Sequence, residues 1–364
     1  MTEFTPDDHL YMTQALRLAE QGLYTSMPNP RVGCVIVKDG VVVGEGAHIK
    51  AGTPHAEVHA LKQAGQKAKG ATAYATLEPC SHHGCTAPCA DALVKAGLDK
   101  VIIAMQDPNP LVSGQGIALI ESAGITVQTG LMQPQAQALN TGFISRMTKQ
   151  LPLVRSKIAA SLDGKTALSN GESKWITSAA ARSDVQHWRA RSCAMMTGIG
   201  TILSDNPSLT VREHNIERQP VSVIVDSQLR IPLDAKVLQN PEVLIAFATD
   251  TANKAEQLAA IGISLLCIPN EQGKVCLQSL LSHLASNEVN EVMVEGGDGL
   301  NGALMALKCI DELVIYYAPK LMGSDGKGMF AIPTLQSMQD VVDLSVIEVR
   351  QFGDDIRVLA RCES

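Results

Sequence analysis

Aromatic side chains are scarce in this chain of 364 residues: Phe, Trp and Tyr together make up 3% of it. Its interior must therefore be filled by aliphatic residues and by its 13 methionines, whose flexible thioethers suit irregular gaps. Positive charge is not in excess either. Lys and Arg number 30 against 37 Asp and Glu, a net charge of −7. Neither half of the chain is basic, which excludes the electrostatic footprint that non-specific nucleic-acid binding requires. No apolar run reaches the ~18 residues of a membrane-spanning helix. The opening MTEFTPDDHL is acidic, unlike the basic start of a secretory leader. These absences predict a cytoplasmic protein with neither nucleic acid nor membrane as partner.

What is present suits packed globular structure. Hydrophobic residues make up 45% and charged residues 18%, which leaves no room for long disorder, and the length predicts two domains at roughly 100–200 residues each. The nine cysteines are unevenly placed, with Cys80, Cys85 and Cys89 falling within ten residues. A secreted disulfide framework spreads its cysteines through a small domain, so this cluster points to metal or redox chemistry. Cys34 and Cys193 read as buried small hydrophobes.

Apolar spacing predicts a first helix over residues 8–22, ending at a Gly stop. Residues 32–37 and 41–48 flank Asp39-Gly40 as a hairpin with a two-residue turn. Helices are then expected over 55–66, 88–96 and 116–123, strands over 71–77, 100–105 and 125–129, and one further helix over 134–146. A hairpin followed by strand–helix alternation predicts a three-layer α/β/α domain with a mixed sheet. The boundary falls near residue 150, giving domains 1–148 and 149–364. In the second, apolar runs at 153–161, 221–226, 243–248, 291–296 and 313–318, several separated by helical stretches, predict another α/β domain. It closes with a hairpin around Gly353-Asp354.

The chemistry is concentrated in His55-Ala56-Glu57, Pro79-Cys80 and Cys89. Zinc takes nitrogen and thiolate ligands in a tetrahedron, and one imidazole with two thiolates leaves the fourth position for water, the mark of a catalytic site. Bound zinc acidifies that water toward neutrality. Glu57 stands two residues from His55 at a helix start, placed to move protons rather than to ligate. H-x-E followed by P-C and a second Cys is the signature of zinc nucleobase deaminases, in which hydroxide attacks the ring carbon bearing an amine. His59 completes the string His-Ala-Glu-Val-His, but a zinc-protease motif needs Glu directly after the first His. His59 reads instead as a packing residue or a support behind the ligands.

Simple deaminases separate the two cysteines by two residues, whereas Cys80 and Cys89 enclose SHHGCTAP, an insert expected to line the pocket. With Pro28-Asn29-Pro30-Arg31-Val32-Gly33, His55-Ala56-Glu57-Val58-His59-Ala60 and Glu78-Pro79-Cys80-Ser81-His82-His83-Gly84, the chain closely resembles the bifunctional deaminase-reductases of riboflavin biosynthesis. The second half continues the likeness in Ser161-Leu162-Asp163-Gly164-Lys165, Gly171-Glu172-Ser173-Lys174-Trp175-Ile176-Thr177, Asp205-Asn206-Pro207 and Val294-Glu295-Gly296-Gly297. The resemblance implies a cytidine-deaminase-like first domain and a dihydrofolate-reductase-like second one. It makes His55, Cys80 and Cys89 the ligands of Zn2+, Glu57 the proton shuttle, and Asn29 and His82 contacts to the pyrimidine or its ribosyl phosphate. Members usually carry Arg or Lys where Cys85 stands and Pro where Ala87 stands. Cys85 is thus a rival third ligand. Cys89 is preferred because Pro88-Cys89 opens a helix, whose positive end stabilises thiolate.

Gly297-Asp298-Gly299-Leu300-Asn301-Gly302 matches G-x-G-x-x-G between a strand and a helix, where backbone N–H groups meet dinucleotide phosphates. A Rossmann domain also wants an acid at the end of the next strand, and Pro319-Lys320 stands there instead. The resemblance supplies the other account, NADPH in a dihydrofolate-reductase-like fold. On the substrate side it implies Ser173, Arg189, Leu209, Arg212 and Glu295, the two arginines being suited to grip phosphate. On the cofactor side it implies Ala159, Trp175, Thr201, Asp205, Ser227 and the loop Gly297 to Gly302. Lys157 and Asp205 are candidates to polarise the sugar carbonyl or imine as hydride arrives, and the sequence leaves open which, if either, donates a proton.

The implied activity is hydrolysis of the 2-amino group of 2,5-diamino-6-ribosylamino-4(3H)-pyrimidinone 5′-phosphate, then NADPH-dependent reduction of ribosyl to ribityl. The partners implied are this small molecule and a second copy of the chain in a dimer. One rival is a tRNA or nucleoside deaminase joined to an unrelated domain, which the near-neutral first half and the long spacer oppose. Another is a zinc-stabilised binding protein, which has no use for Glu57 beside an open zinc position.

Overall fold

The computed structural model describes residues 4–363 apart from 82–87, 111, 215, 217 and 252. The chain divides into two compact units, Met1–Gln150 and Leu151–Ser364. The first contains α1 (Pro6–Ala19), β1 (Gly33–Lys38), β2 (Val41–Ala47), α2 (Ala56–Ala64), β3 (Thr72–Ala75), α3 (Cys89–Ala96), β4 (Lys100–Ile103), α4 (Gln115–Ser122), β5 (Thr126–Thr129), α5 (Gln133–Leu139) and α6 (Thr141–Lys149). Its sheet runs β2-β1-β3-β4-β5. Strand β1 is antiparallel to both neighbours while β3, β4 and β5 are parallel, so the sheet is mixed. Asp39 and Gly40, at φ of 50° and 76°, form the two-residue turn that Asp-Gly favours between paired strands.

Glycine sets how closely the helices approach this sheet. A Cβ on Gly33 would lie 1.9 Å from the Ala15 carbonyl oxygen of α1. One on Gly46 would lie 2.0 Å from that of Ala56, and one on Gly44 2.1 Å from that of Ala60, both in α2. Gly46 pairs with Cys34, the neighbour of Gly33, so α1 and α2 cover opposite faces and make the three layers. Close approach of α2 to β2 fixes where that helix starts, and with it His55 and Glu57.

The helix expected over 134–146 is two helices, broken at Asn140 (φ −120°, ψ 21°). The buried Asn140 carboxamide accepts from the Arg31 N–H (2.8 Å) and donates to the Arg31 carbonyl (2.9 Å). It thereby extends the chain just after Asn29 as a strand partner would.

The second unit contains β6 (Leu153–Ser161), α7 (Ala179–Arg191), β7 (Ala194–Gly198), α8 (Ile199–Asp205), β8 (Val221–Val225), β9 (Val243–Phe247), α9 (Ala255–Ala260), β10 (Ser264–Cys267), α10 (Leu277–Ser286), β11 (Glu291–Val294), α11 (Asp298–Ala306), β12 (Glu312–Ala318), β13 (Leu344–Phe352) and β14 (Asp355–Cys362). Nine strands lie in the order β10-β9-β8-β7-β11-β6-β12-β14-β13. Pairing is parallel from β10 to β12, and the terminal hairpin turning at Gly353-Asp354 adds two antiparallel strands. Strands covered on both faces need continuous apolar runs, as in the fully buried Val292, Met293 and Val294. A large buried charge in this layer, Arg155, is paired twice: with Glu312 (2.9 and 2.7 Å) and with Glu291 (3.0 Å). Its guanidinium also lies 4.8 Å from the Trp188 ring. A buried charge persists only with such partners.

Replacing Asn140 by Ala deprives a buried N–H and a buried carbonyl of their partner. Urea unfolding of the Asn140→Ala chain is expected to show a loss on the order of 3 kcal/mol. An unchanged midpoint would refute the bracket.

Candidate active sites

In the first unit three chain segments deliver one ligand atom each. His55 is the extended residue that caps α2, Cys80 follows β3 through Glu78-Pro79, and Cys89 is the first residue of α3. His55 Nδ1 lies 3.2 Å from Cys89 Sγ and 3.5 Å from Cys80 Sγ, and the three ligand atoms fall within 4.8 Å of one another. Tetrahedral zinc, at about 2.0–2.3 Å from nitrogen and sulfur, spaces its ligand atoms roughly 3.5–3.8 Å apart. The triangle and its one-nitrogen, two-sulfur donor set therefore fit zinc.

Electrostatics agree. The Cys89 thiol donating to it, aided against burial by the His55 ring and the Cys89 N–H at 3.3 Å, brings the Cys80 thiol down to about 4. The same neighbour and burial push Cys89 up. Thiols in such contact oppose each other's ionisation, and a cation between them relieves that opposition. Burial pushes the Glu57 carboxyl above its usual range, against the opposing pull of its own backbone N–H and of His55. Glu57 sits 4% exposed in the first turn of α2, poised to hold a proton beside the ligands.

Asn29 Nδ2 is 3.1 Å from His48 Nε2, and the His48 ring stands edge-on to His55 at 5.2 Å. Burial lowers the His48 pKa, which favours a neutral ring. Reading the sequence missed His48, since a histidine closing a strand carries no spacing signal. His59 is exposed, because two residues beyond the buried Glu57 a helix turns to another face, while its Cβ stands close to the Gly46 backbone of β2. His82, Cys85 and Ala87 lie outside the described residues.

The second unit holds a cavity of about 1170 Å³, lined where β6, β7, β8 and β11 end, the expected ligand site of a parallel sheet. Of the residues expected on the substrate side, Ser173, Arg189, Leu209, Arg212 and Glu295 all line it. So do Ala159, Trp175, Thr201, Asp205 and Ser227, together with Lys157 and the loop from Gly297 through Asp298 and Gly299 to Leu300. Gly297 caps α11, as the strand–loop–helix pattern requires. Asn301 and Gly302 are not in the wall. Asn301 is buried, its Oδ1 accepting from Ser156 Oγ at 3.0 Å, and a Cβ on Gly302 would lie 2.3 Å from the Ala331 carbonyl oxygen. These two residues hold the loop from behind instead of facing a cofactor.

Arg189 is held by the protein itself. Its Nε and Nη2 fork onto Glu295 at 2.7 and 2.9 Å, and its Nη1 donates to the Thr210 carbonyl at 3.0 Å. Three of the five guanidinium N–H groups are thus committed, in a side chain that still lines the cavity. Arg212 is exposed into the cavity, with its backbone N–H held by Gln186. Lys157 Nζ completes the cluster at 3.3 Å from Glu295. Burial alone would push the Glu295 carboxyl up, but Arg189 and Lys157 outweigh it and hold it at about 2. Asp205 pairs with Lys174 at 3.3 Å, and the half-open Trp175 ring lies over the Arg182 guanidinium at 4.4 Å. Lys174, Arg182, Arg230, Lys274 and Lys327 also line the cavity. Apart from Lys174, which stands in the Gly171–Thr177 string, no motif distinguishes these cations from ordinary surface charge.

Two expectations follow. Metal analysis should find one zinc per chain, retained in Cys85→Ser and lost in Cys89→Ser; the reverse pattern would give the third ligand to Cys85. Glu295 ionises more readily in the folded chain than at its ordinary 4.5. It therefore stabilises the fold at neutral pH, and acid removes that stabilisation, on the order of 3 kcal/mol, between about pH 5 and pH 2. Stability against pH should be steeper in wild type than in Glu295→Gln within that window, and parallel curves would exclude the effect.

Residues 5–105 match the family described as the cytidine and deoxycytidylate deaminase zinc-binding region, and residues 152–358 match the RibD C-terminal domain. The riboflavin biosynthesis protein RibD of Escherichia coli (strain K12) is 46% identical over 362 residues, covering 96% of this chain and 98% of that protein. That of Haemophilus influenzae is 45% identical over 376 residues, covering 98% of each. Among solved structures, Acinetobacter baumannii RibD superposes with a TM-score of 0.92 at 46% identity, covering 98% of this chain and 99% of that one. A Thermotoga maritima diaminohydroxyphosphoribosylaminopyrimidine deaminase/5-amino-6-(5-phosphoribosylamino)uracil reductase superposes with a TM-score of 0.86 at 33% identity, covering 98% and 99%. With both matched regions in order and relatives aligned nearly end to end, the chain belongs to the RibD family of riboflavin biosynthesis proteins.

Proposed function

We propose that residues 1–148 deaminate a diaminopyrimidine ribosyl phosphate and that residues 149–364 reduce its ribosyl group to ribityl with NADPH. The enzyme is thus a bifunctional deaminase and reductase of riboflavin biosynthesis, using zinc in the first step. The observation that carries the residue assignment is the ligand triangle of His55, Cys80 and Cys89 with the buried Glu57 beside it. Zinc held there supplies Lewis acidity that brings water toward ionisation at neutral pH. Glu57 would take the first proton released and deliver it to a ring nitrogen, then take the second from the hydroxyl added at the ring carbon and pass it to the departing ammonia. A raised carboxyl pKa suits this exchange, since the group must hold the proton between two transfers. Asn29, turned by His48, is placed to orient the ring.

In the second unit NADPH supplies the hydride. Its phosphates are assigned to the loop Gly297 to Leu300, where the amino end of α11 adds positive potential. Glu295, fixed by Arg189, is assigned to substrate hydroxyls and Arg212 to the phosphate. Lys157 is the favoured proton donor, because its ammonium lies in this substrate-side cluster, whereas Asp205 is paired with a half-exposed lysine. A homodimer is supported by the edge strand β13, which leaves Val346 and Val349 about three-fifths exposed. No helix among the described residues is long and apolar enough to cross a membrane, and their cysteines are free thiols, which supports a cytoplasmic location.

The test supplies purified protein with the diaminopyrimidine ribosyl phosphate and NADPH, following ammonia release and NADPH oxidation in parallel. Both signals are expected. Glu57→Gln should lower ammonia release by ~10²–10⁴-fold, keep its zinc, and still reduce the previously deaminated substrate at the wild-type rate. Ammonia without NADPH consumption would remove the reductase assignment. Activity on cytidine, adenosine or tRNA in place of the pyrimidine would replace the substrate.

A further inference from the structure

Glu78 stands two residues before Cys80 and is 4% exposed. Its carboxylate accepts four backbone N–H bonds: from Asp107 (3.1 Å) and Gly114 (3.0 Å) on Oε2, and from Gly116 (2.9 Å) and Ile117 (3.3 Å) on Oε1. Gly114 caps α4, so this carboxylate ties the first turn of that helix to the segment that carries the ligand.

We propose that Glu78 is a positioning residue that fixes Cys80 in its ligating place before the metal arrives. The proposal rests on the reading of Cys80 as a zinc ligand and adds to it what holds that ligand. Strand β3 ends at Ala75, so from Leu77 to Cys80 the chain has left the β3 ladder. The Glu78 N–H is held by the Met105 carbonyl at 3.0 Å, and its side chain by the four donors above. Pro79 is seated against Gly116: a Cβ there would lie 2.0 Å from the Pro79 carbonyl oxygen, so α4 and the ligand segment touch backbone to backbone. Cys80 completes the run with its carbonyl on the Ala90 N–H (3.1 Å) and its Sγ on the Cys89 N–H (3.3 Å), both in the first turn of α3. Each link from Glu78 to the sulfur is thus tied to α3, α4 or the chain at Met105. Ordering a ligand in advance removes that cost from metal binding, and outer partners of metal ligands commonly govern affinity for this reason.

The informative substitution is Glu78→Gln. It keeps the shape but exchanges one acceptor oxygen for an NH2 group, which must face two N–H donors. Zinc affinity, read by competition with a chromogenic chelator, should fall about tenfold or more. In the cobalt-substituted chain the thiolate charge-transfer and d–d bands should shift, a signature that general loss of stability does not produce. Unchanged affinity and bands would overturn the proposal, even if the variant melts earlier. Cys80→Ser separates the two levels: zinc lost there but held normally by Glu78→Gln removes only the positioning role. Zinc retained by Cys80→Ser removes the ligand reading and the proposal with it. A second measurement needs no variant. In the metal-stripped wild-type chain, hydrogen exchange at the Asp107, Gly114, Gly116 and Ile117 amides should stay slow. Protection that appears only on adding zinc would show the clamp to follow the metal and would end the proposal.

Discussion

Two cysteine sulfurs and an imidazole nitrogen do not converge in a buried place on their own account. Only one thiol ionises readily: the Cys89 thiol donates to Cys80 and draws it down to about 4, while the same hydrogen bond, burial and the negative charge nearby push Cys89 the opposite way. The backbone has to impose the arrangement. It does so with one ligand at the start of α2, one beyond the end of β3 and one at the start of α3. Much else in the first unit serves that convergence. The bare Gly44 and Gly46 let α2 lie directly on β2, and the Asn140 bracket on Arg31 extends the chain that carries Asn29.

The second unit solves the opposite problem with the same physics. Glu295 is a single buried carboxylate, and Arg189 and Lys157 surround it with positive charge, so it ionises readily where burial alone would forbid it. That pairing also explains how Arg189 can be buried at the cavity wall. It holds the carboxylate rigid by the two-pronged geometry that a guanidinium offers. Arg212, by contrast, is exposed into the cavity.

Legibility in the sequence followed the range of the interaction. The Asp39-Gly40 turn, the Gly297 start of α11 and the apolar runs of β6, β8, β9, β11 and β12 are local patterns and readable, whereas β7 and β10 and the parallel pairing were not named. The H-x-E and P-C strings were readable too, because zinc chemistry constrains residue types at short spacing. The break at Asn140 was not, since its cause is a pair of hydrogen bonds to Arg31, 109 residues away. Nor was the Arg189–Glu295 fork, which spans 106 residues. Asn301 and Gly302 belong to a motif whose remaining members line the cavity, but helical rotation carries them to the packed side of α11. A motif fixes residue identity, while the facing of each member depends on the helix register.

Helix starts do similar electrostatic work in both units. In the first, the amino end of α3 directs the Cys89 N–H at the Cys80 sulfur. In the second, the amino end of α11 opens on the cavity at Gly297 and Asp298, where the proposed function places the cofactor's phosphates. Both ends lie beyond the carboxyl edge of a parallel strand, where the chain must leave the sheet and re-enter a helix, so free N–H groups are available there without disturbing the ladder. The charge to be held differs: a thiolate that must stay ionised beside a metal, and a phosphate that must arrive and depart. The surroundings differ accordingly. Cys80 is tied from several sides by backbone donors, whereas the Gly297 loop faces an open cavity and is supported from behind by Asn301. Rigid support at the metal and open access at the dinucleotide follow from the same helix-end device, set in a closed corner in one unit and at a cavity wall in the other.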